Sequence, residues 1–489
     1  MRLGFRHTYS ALPSRFYSHV VPTPVADPRL VVFNTRLAQD LDLDPTILEP
    51  EAAALFSGNR LPEDAEPIGM AYAGHQFGVF VPSLGDGRAI LLGELQGRDG
   101  ILRDVQLKGA GRTPYSRNGD GRAVVGPMLR EYLISEAMHA LGIPTTRSLA
   151  VVSTGERVVR DGGALPGAIL TRVAASHVRV GTFQYFAARG DQDAVRALLD
   201  YVIARYYPLA READVPALAV LKEVTQRQVA LITDWMLLGF IHGVMNTDNM
   251  AISGETIDYG PCAFMDSYEP KTAFSSIDHN GRYAYANQPV IAQWNLARFA
   301  ETLLFLIDPD PEKAVALATQ VLEPFIAQFD DRFLAGTRRK LGLSSAREGD
   351  ADLVRRLLTL MRHSQADLTL TFRRLALVAE NPAEEAGLRE LFEQRSGLDG
   401  WLRDWRERLA SDPQTASERT ASMCSVNPAI IPRNHRVQAA LEAAENGDYR
   451  LFRKLLEILQ RPYEDPAEVS AYSQPPQSSE RVLQTFCGT

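Results

Sequence analysis

The period of the hydrophobic positions changes along the chain and separates a strand-rich first part from a helical second part. Short apolar runs divided by glycine-containing turns cover residues 68–107, a pattern that is typical of paired β-strands. From residue 191 onward the apolar residues recur at helical spacing, which predicts a succession of amphipathic helices. The sequence therefore predicts an α+β protein.

The two ends of the chain have patterns of their own. Closely spaced prolines interrupt the first segment, which predicts an extended arm with one short helix at 35–41. Near the other end we expect one helix over 441–459, followed by a polar tail rich in proline and serine. We divide the chain into an N-terminal extension that packs on the core, a β-rich lobe, a helical lobe, and a C-terminal helical extension with a cysteine-containing tail, at residues 1–65, 66–165, 166–410 and 411–489.

Composition narrows the functional classes. The chain of 489 residues is 45% hydrophobic and 23% charged, as ordinary soluble proteins are. Its formal net charge of -8 argues against nucleic acid as the main partner. We see no apolar run that approaches the roughly 18–20 residues of a membrane span, and no secretory signal segment at the start. Three cysteines are too few for a disulfide framework, so we expect a protein of the reducing cytoplasm. From the apolar runs we also expect no membrane partner.

The most informative stretch is a short turn between two apolar runs. Residues 250–252 and 256–257 flank a Ser-Gly-Glu turn, which predicts a tight β-hairpin. Asp248 and Asn249 precede this hairpin and Asp258 follows it, so three oxygen-bearing side chains would meet at its base. Such oxygens, completed by substrate phosphates, are the ligands that Mg²⁺ prefers. The alternative is an Asn/Asp-rich turn that is capped by its own side chains.

The spacing within this stretch resembles the catalytic loop of protein kinases. His242 and Asn249 stand at the distance of the His and Asn in H-R-D-x-x-x-x-N, and Asp258-Tyr-Gly resembles D-F-G. The position of the catalytic Asp, however, is occupied by Val244. Valine cannot accept a proton, and a small-molecule phosphotransferase would also be expected to keep an Asp there. The site is therefore either inactive or performs different chemistry.

A lysine upstream fits the same comparison. The chain contains six lysines among its 52 basic residues, and Lys108 ends an apolar strand just before a small-residue loop. A lysine ammonium group there suits a phosphate oxygen, as the strand lysine of kinases does. Glu131, in the first full turn of a helix that starts near Pro127, would pair with Lys108. Glu136 is the competing partner.

Further basic and glycine-rich segments are candidates for phosphate contacts. The sequence Gly-Asp-Gly-Arg-Ala occurs twice, beginning at Gly85 and at Gly119. Backbone N–H groups at Gly85 and Gly87, together with Arg88, would approach a phosphate, and two such loops would close on one polyphosphate. A plain hairpin turn requires the same residues.

Two arginines form a second candidate. Arg172 and Arg179 bracket a short small-residue segment that follows a predicted strand. Arginine pairs with phosphate through two parallel N–H groups, so these side chains would clamp a phosphate group. A solvated basic face is the alternative.

Several longer strings, spread over nearly the whole length, carry a resemblance to a known family. They lie at residues 11–17, 73–78, 106–116, 142–147, 242–249 and 287–289. They identify the chain as similar to the selenoprotein O family, called YdiU in some bacteria. The resemblance implies a protein-kinase-like fold of two lobes, with a β-rich N-lobe and a helical C-lobe, that lacks the usual catalytic Asp and binds ATP in a flipped orientation. It further implies transfer of AMP to Ser, Thr or Tyr hydroxyls of protein substrates, with release of pyrophosphate.

The resemblance also implies roles for individual residues. Asp248 would be the proton acceptor, Asn249 and Asp258 would hold Mg²⁺ or Mn²⁺, and Glu131 would position Lys108. The residues that would hold the nucleotide are Gly85, Gly87, Arg88, Lys108, Asp120, Gly121, Arg172, Arg179 and Asp258.

Alternatives remain within and outside this class. Within it, the enzyme would transfer UMP from UTP with Mn²⁺; outside it, the chain would be an inactive nucleotide-binding scaffold. Cys487 matches the position where animal members carry selenocysteine, and Cys262 lies four residues after Asp258. We hypothesise a Cys262–Cys487 disulfide that tethers the tail, the alternative being a buried, inert Cys262.

Overall fold

The first part of the chain forms one antiparallel sheet. The computed structural model describes residues 1–160, 163–465 and 470–486. Seven strands pair in the order β1-β3-β6-β7-β9-β8-β2, and two small sheets pair β4 with β5 and β10 with β11. The strands are β1 Tyr17–His19, β2 Arg29–Phe33, β3 Ile68–Met70, β4 Gly74–Gln76, β5 Val79–Val81, β6 Ala89–Gln96, β7 Leu102–Lys108, β8 Arg147–Arg160, β9 Gly163–Ala174, β10 Phe240–Ile241 and β11 Ala263–Phe264.

Most of the remaining described chain is helical. Among the longer helices, α7 packs against α8, α9 and α10, while α12 packs against α15. The helices are α1 Thr35–Asp40, α2 Pro45–Leu48, α3 Ala52–Phe56, α4 Val125–Ala140, α5 Val180–Ala187, α6 Gln192–Tyr206, α7 Pro216–Leu238, α8 Gln288–Ile307, α9 Pro311–Leu322, α10 Phe325–Lys340, α11 Asp350–His363, α12 Leu368–Glu380, α13 Glu385–Arg389, α14 Leu398–Ala410, α15 Ala416–Val426, α16 Asn434–Glu445, α17 Arg450–Leu459 and α18 Ser470–Ser473.

The sheet is buried on both faces, and the strand period explains how. On β6, Ile90 and Leu92 point into one apolar core while Leu91 points into the other. The short helices α1 and α3 cover the first face, and α4 lies on β8 and β9 across the second. Helices α16 and α17 pack in turn on α4. The far end of the chain therefore supports the helix that carries Glu131.

The predicted α+β class is confirmed, and the N-terminal segment is more integral than expected. Its strands β1 and β2 form the two edges of the seven-stranded sheet. Through these two strands the proline-rich segment pairs its backbone groups with β3 and β8. The boundary that we predicted between residues 165 and 166 falls inside β9, so a division there would cut a strand.

Two local predictions were wrong. The runs 250–252 and 256–257 do not pair with each other as a hairpin, because Ala251 bridges to Arg179 and Thr256 bridges to Thr145. The helix predicted over 441–459 is two helices, α16 and α17, which are separated at Gly447 with φ of 86°. A left-handed glycine ends a helix readily, so the apolar spacing on both sides concealed the break.

The expectation that no apolar run is long enough for a membrane span was also wrong. Residues 285–307 form a 23-residue helical stretch whose most apolar 18-residue window has a mean hydropathy of 1.3, so the stretch passes by length and composition. Half of its most apolar window is buried inside the protein. Helix α8, which makes up most of this stretch, packs against α5, α7 and α9, as a core helix does.

One lysine is buried at the junction of two helices. Lys340, at the end of α10, is 4% exposed and donates from Nζ to the Leu237 carbonyl at 2.7 Å. That carbonyl belongs to the last turn of α7, where the helix itself supplies no donor. The Lys340 ammonium group also lies 4.5 Å from the centre of the Phe372 ring. Burial disfavours the charged form and lowers the pKa of Lys340 to about 7.

This shift makes stability depend on pH with a definite sign. Between pH 7 and about 10 the unfolded chain keeps a proton on Lys340 that the folded chain has released, so stability rises with pH. We predict that the unfolding free energy of the wild type, relative to Lys340→Met, increases by about 2–4 kcal/mol over this range. Denaturant unfolding at a series of pH values measures it. The exposed Lys313→Met is the control, and parallel curves for wild type and Lys340→Met would contradict the prediction.

Candidate functional site

A cavity of about 760 Å³ lies between the sheet, α4 and the segment 244–260. It collects side chains from β7, β9, α4 and several loops that are far apart in the sequence. All of the nucleotide and metal candidates line it, namely Gly85, Gly87, Arg88, Lys108, Asp120, Gly121, Glu131, Arg172, Arg179, Asp248, Asn249 and Asp258. Their individual roles remain predictions.

Strand register places two cations side by side in this cavity. Lys108 on β7 is opposite Leu170 of β9, and Gln106 is opposite Arg172, so Lys108 and Arg172 are diagonal neighbours on one face. Glu131 on α4 compensates both charges: Lys108 Nζ donates to Oε2 at 2.6 Å and Arg172 Nε donates to Oε1 at 2.7 Å. The predicted Lys108–Glu131 pair is therefore present.

Glu136, the competing partner, is engaged elsewhere. It accepts hydrogen bonds from Arg147 at 2.7 and 2.8 Å and from the Asn34 side chain at 2.8 Å. These contacts fasten α4 to the start of β8 and to the N-terminal segment. Glu136 therefore pairs with Arg147 and Asn34, and Glu131 is the glutamate that pairs with Lys108.

Asp258 completes the cluster from the opposite side. Its Oδ1 accepts from Lys108 Nζ at 2.8 Å and from Arg172, and Arg179 lies 3.7 Å from its Oδ2. Burial alone would raise the pKa of Asp258, but Arg172, Lys108 and Arg179 outweigh that effect and hold the pKa well below its usual range. Asp258 therefore stays ionised. Its backbone is left-handed, with φ of 65°, an unusual conformation for a residue other than glycine.

The turn that carries these acidic residues is fixed from within. The ring of His242 donates from Nε2 to the Ile257 carbonyl at 2.9 Å and stacks on Trp235 at 5.3 Å between ring centres. The Asn249 amide donates to the Val244 carbonyl at 2.9 Å. The bond from His242 joins the two arms of the turn without a β-ladder, and the bond from Asn249 fixes the shape of the first arm. The side chain of Val244 is buried and apolar, so no acid stands at the kinase base position.

Asp248 has the opposite environment to Asp258. It is buried, its Oδ2 accepts from Gln76 Nε2 at 3.2 Å, and its Oδ1 has no hydrogen-bond partner. Burial disfavours the carboxylate and raises the pKa of Asp248 to about 6, against the smaller lowering effect of the hydrogen bonds from its own backbone and Gln76. Such a carboxylate is suited to receive a proton near neutral pH.

The residues present fit a metal ion that arrives with phosphates. Asn249 donates through its amide nitrogen, so its oxygen is the end left for a cation, and Asp258 supplies a carboxylate. Within the described ranges no group of three or more His, Cys, Asp or Glu residues forms a metal cluster. One or two protein oxygens with substrate phosphates is the usual arrangement for Mg²⁺.

Residues of both repeated glycine loops line the cavity. Gly85 has φ of 65°, and a Cβ there would lie 2.3 Å from the Tyr115 ring. Thr113, in the segment that leads into the second loop, donates from Oγ1 to the Asp86 carbonyl of the first loop at 2.7 Å. Asp120, on that second loop, accepts from Arg160 at 2.8 Å. The loops therefore form one wall of the cavity.

The structure bears on one member of the predicted redox pair. Cys262 is a free, buried thiol, and burial raises its pKa to about 11, which disfavours the reactive thiolate. Cys487 lies outside the described residues. The end of the described tail lies close to Cys262 in space, since the Thr485 hydroxyl donates to the carbonyl of Pro261, the residue before Cys262.

Several residues at the site had escaped sequence reasoning. Tyr72 lies under Arg179, whose guanidinium carbon is 4.4 Å from the ring centre. Gln76 contacts Asp248, and Arg130 donates to the Gly260 carbonyl at 2.9 Å. For Gln76 the one available signal was its place in the string 73–78 that carried the family resemblance.

Comparisons with known proteins show the family to which the chain is similar. A family model described as Protein adenylyltransferase SelO matches residues 1–460. Curated relatives named "Protein nucleotidyltransferase YdiU" occur in bacteria. The one from Rhizobium meliloti (strain 1021) is 60% identical over 486 residues, covering 99% of both chains. That from Bradyrhizobium sp. (strain BTAi1 / ATCC BAA-1182) is 60% identical over 487 residues, again covering 99% of both.

The cation cluster generates a prediction about metal binding. Without nucleotide, the Asp258 carboxylate is paired with the Lys108 ammonium group. A divalent ion that binds Asp258 must therefore displace that positive charge or lie beside it. We predict that, in the absence of nucleotide, Lys108→Ala binds Mn²⁺ at least about tenfold more tightly than the wild type does. The substitution removes the repulsion between the lysine and the metal ion, and two unit charges at this distance interact by a few kcal/mol at an effective dielectric constant of ~20. Electron paramagnetic resonance of free Mn²⁺ measures the affinity.

Two further variants complete this experiment. Asp258→Asn should weaken nucleotide-free Mn²⁺ binding, since it removes the carboxylate ligand. Lys454→Ala is the matched control, because Lys454 also pairs with a glutamate, at 3.2 Å, but on the surface of α17. Unchanged or weaker Mn²⁺ binding by Lys108→Ala would show that the lysine does not compete with the metal.

Proposed function

The chain belongs to the SelO family, and from this premise we propose that it transfers AMP from ATP to Ser, Thr or Tyr hydroxyls of proteins, releasing pyrophosphate. The coarser assignment, a nucleotidyltransferase, rests on relatives that share 60% of its residues over nearly the full length. The observation that carries the finer proposal is the placement of Asp248, a buried carboxylate of raised pKa that lines the same cavity as the Lys108–Arg172–Asp258 cluster.

We extend the proposal to the architecture. The antiparallel sheet with α4 would be the N-lobe of a protein-kinase-like fold, and the helices from α5 onward would be its C-lobe. The Lys108–Glu131 pair supports this, since kinases pair a strand lysine with a glutamate on the adjacent helix in this way. The cavity between the two parts would then be the nucleotide site. The low cysteine content supports a cytoplasmic location.

The transfer step assigns a task to each part of the cavity. The acceptor hydroxyl oxygen forms a bond to the α-phosphorus, and the bond to the β-phosphate bridging oxygen breaks. Asp248 takes the hydroxyl proton, as its raised pKa allows. Lys108, Arg172 and Arg179 neutralise the pyrophosphate as it leaves. A divalent ion bound by Asn249 and Asp258 would stabilise the charge that develops at the α-phosphate.

A flipped nucleotide accounts for Val244. In a kinase the base at this position receives the proton as the γ-phosphate is transferred. If the nucleotide is reversed, the α-phosphate takes that place over the metal, and a different acid is needed. Asp248 lies four residues further along the same turn, in the cavity that Val244 also lines.

The position of the transferred phosphorus tests the proposal. The protein is incubated with Mg²⁺ and ATP radiolabelled at either the α- or the γ-phosphate, and label on protein is measured. We predict label from the α position alone. Label from γ alone would indicate a kinase, and nucleotide binding without label would indicate an inactive scaffold. Stronger labelling from α-labelled UTP with Mn²⁺ would indicate UMP transfer.

Substitutions separate the roles in the same assay. Asp248→Ala should lower the transfer rate by about 10²–10⁴ while nucleotide affinity is largely kept, because it removes the proton acceptor alone. Asp258→Ala and Lys108→Ala should abolish labelling. Lys313→Ala, an exposed lysine on α9, is the control. Full activity of Asp248→Ala would overturn its assignment as the base.

The redox part of the proposal is a disulfide between Cys262 and Cys487 that tethers the tail. It is supported by Thr485, which already holds the tail against Pro261, next to Cys262. The two thiols would lose two protons and two electrons to an external disulfide such as oxidised glutathione. Peptide mass mapping after that treatment, without reduction, should recover the cross-linked pair, with Cys424→Ser as control. Two free thiols would contradict the tether.

A further inference from the structure

A small hairpin, formed by β4 and β5, is in direct contact with Asp248, the proposed base. Strands β4 and β5 are joined by Phe77 and Gly78, which both have positive φ, 52° and 85°. The hairpin belongs to neither the large sheet nor the turn that carries Asp248. A Cβ added at Gly74 would nevertheless lie 2.3 Å from Asp248 Oδ1, so the backbone of β4 is in contact with the carboxylate.

Hydrogen bonds fasten this hairpin to the turn. The His75 N–H donates to Thr247 Oγ1 at 2.7 Å, and the Phe77 N–H donates to Asn246 Oδ1 at 3.1 Å. The Thr247 hydroxyl donates in turn to Gln184 Oε1 at 2.6 Å, and the Gln184 amide donates to the His75 ring at 2.9 Å. The hairpin, α5 and the turn thus hold one another in a fixed arrangement.

Gln76 lies at the centre of these contacts. Its Nε2 donates to Asp248 Oδ2 at 3.2 Å, while Asp248 Oδ1 lies against Gly74 without a hydrogen bond. A carboxylate held by one side-chain donor depends on that donor for its orientation. We propose that Gln76 is a positioning residue, which fixes the Asp248 carboxylate so that it can take the proton of the acceptor hydroxyl.

This inference rests on the proposed function, in which Asp248 is the base. It predicts that Gln76 acts on the transfer step and leaves nucleotide binding alone, because the cations that face the phosphates are on β7, β9 and α5. Gln76→Ala and the isosteric Gln76→Glu should each lower kcat by about 10- to 100-fold with little change in KM for ATP. Gln76→Glu keeps the side-chain volume, so a role in packing alone would leave its kcat unchanged.

A double-mutant cycle with Asp248→Ala gives the decisive measurement. If Gln76 acts through Asp248, adding Gln76→Ala to Asp248→Ala should lower the residual rate by less than about twofold, since coupled residues are not additive. Val79→Ala on the same hairpin is the control, because Val79 is 69% exposed and does not line the cavity. Thermal unfolding and ATP affinity establish that each variant is folded.

The possible outcomes distinguish a failure of the proposed function from a failure of the role assigned to Gln76. A wild type that transfers no α-label to protein overturns the proposed function and this inference with it. A wild type that transfers AMP, with Gln76→Glu retaining full kcat, overturns the inference alone. Additive effects in the double variant likewise overturn it, because Gln76 would then act independently of Asp248. A rise in KM for ATP at constant kcat would assign Gln76 to nucleotide binding instead.

Discussion

The site depends on charge compensation between three cations and the carboxylates of Glu131 and Asp258. Lys108, Arg172 and Arg179 come close together, and like charges in a buried position are stable only when anions lie among them. Glu131 and Asp258 supply those anions from α4 and from the turn. The sheet register, the packing of α4 and the conformation of the turn must therefore all be correct at once. Helices α16 and α17 contribute to this condition by packing on α4.

Two aspartates ten residues apart obtain different properties from this arrangement. The cations hold the pKa of Asp258 well below its usual range, so it remains a charged ligand. Asp248 accepts its side-chain hydrogen bond from the neutral Gln76, and burial raises its pKa to about 6. Groups of one type whose pKa values are pushed apart are commonly assigned different catalytic tasks. The local environment, not the residue type, distinguishes the proposed metal ligand from the proposed base.

The sequence predicted those parts of the site that follow from local geometry. Lys108 ends a strand and Glu131 lies in the second turn of α4. The comparison with kinases was enough to predict their pairing, which the structure contains. The hairpin after Asp248 was predicted wrongly, because Ala251 and Thr256 pair with segments distant in the sequence. Gln76 escaped for the same reason, since 172 residues separate it from Asp248. Contacts of this range depend on the assembled fold and leave no periodic pattern.

The charges of the cluster also bear on the order in which its ligands enter. Ion pairs join three cations to the carboxylates of Glu131 and Asp258 before any ligand binds. A divalent ion alone would meet these positive charges, and Asp258 would have to give up its cation partners to receive it. The phosphates of a nucleotide draw Lys108, Arg172 and Arg179 toward themselves and release Asp258 for the metal. Nucleotide and metal therefore suit this cluster together better than either does alone, and each should strengthen the binding of the other.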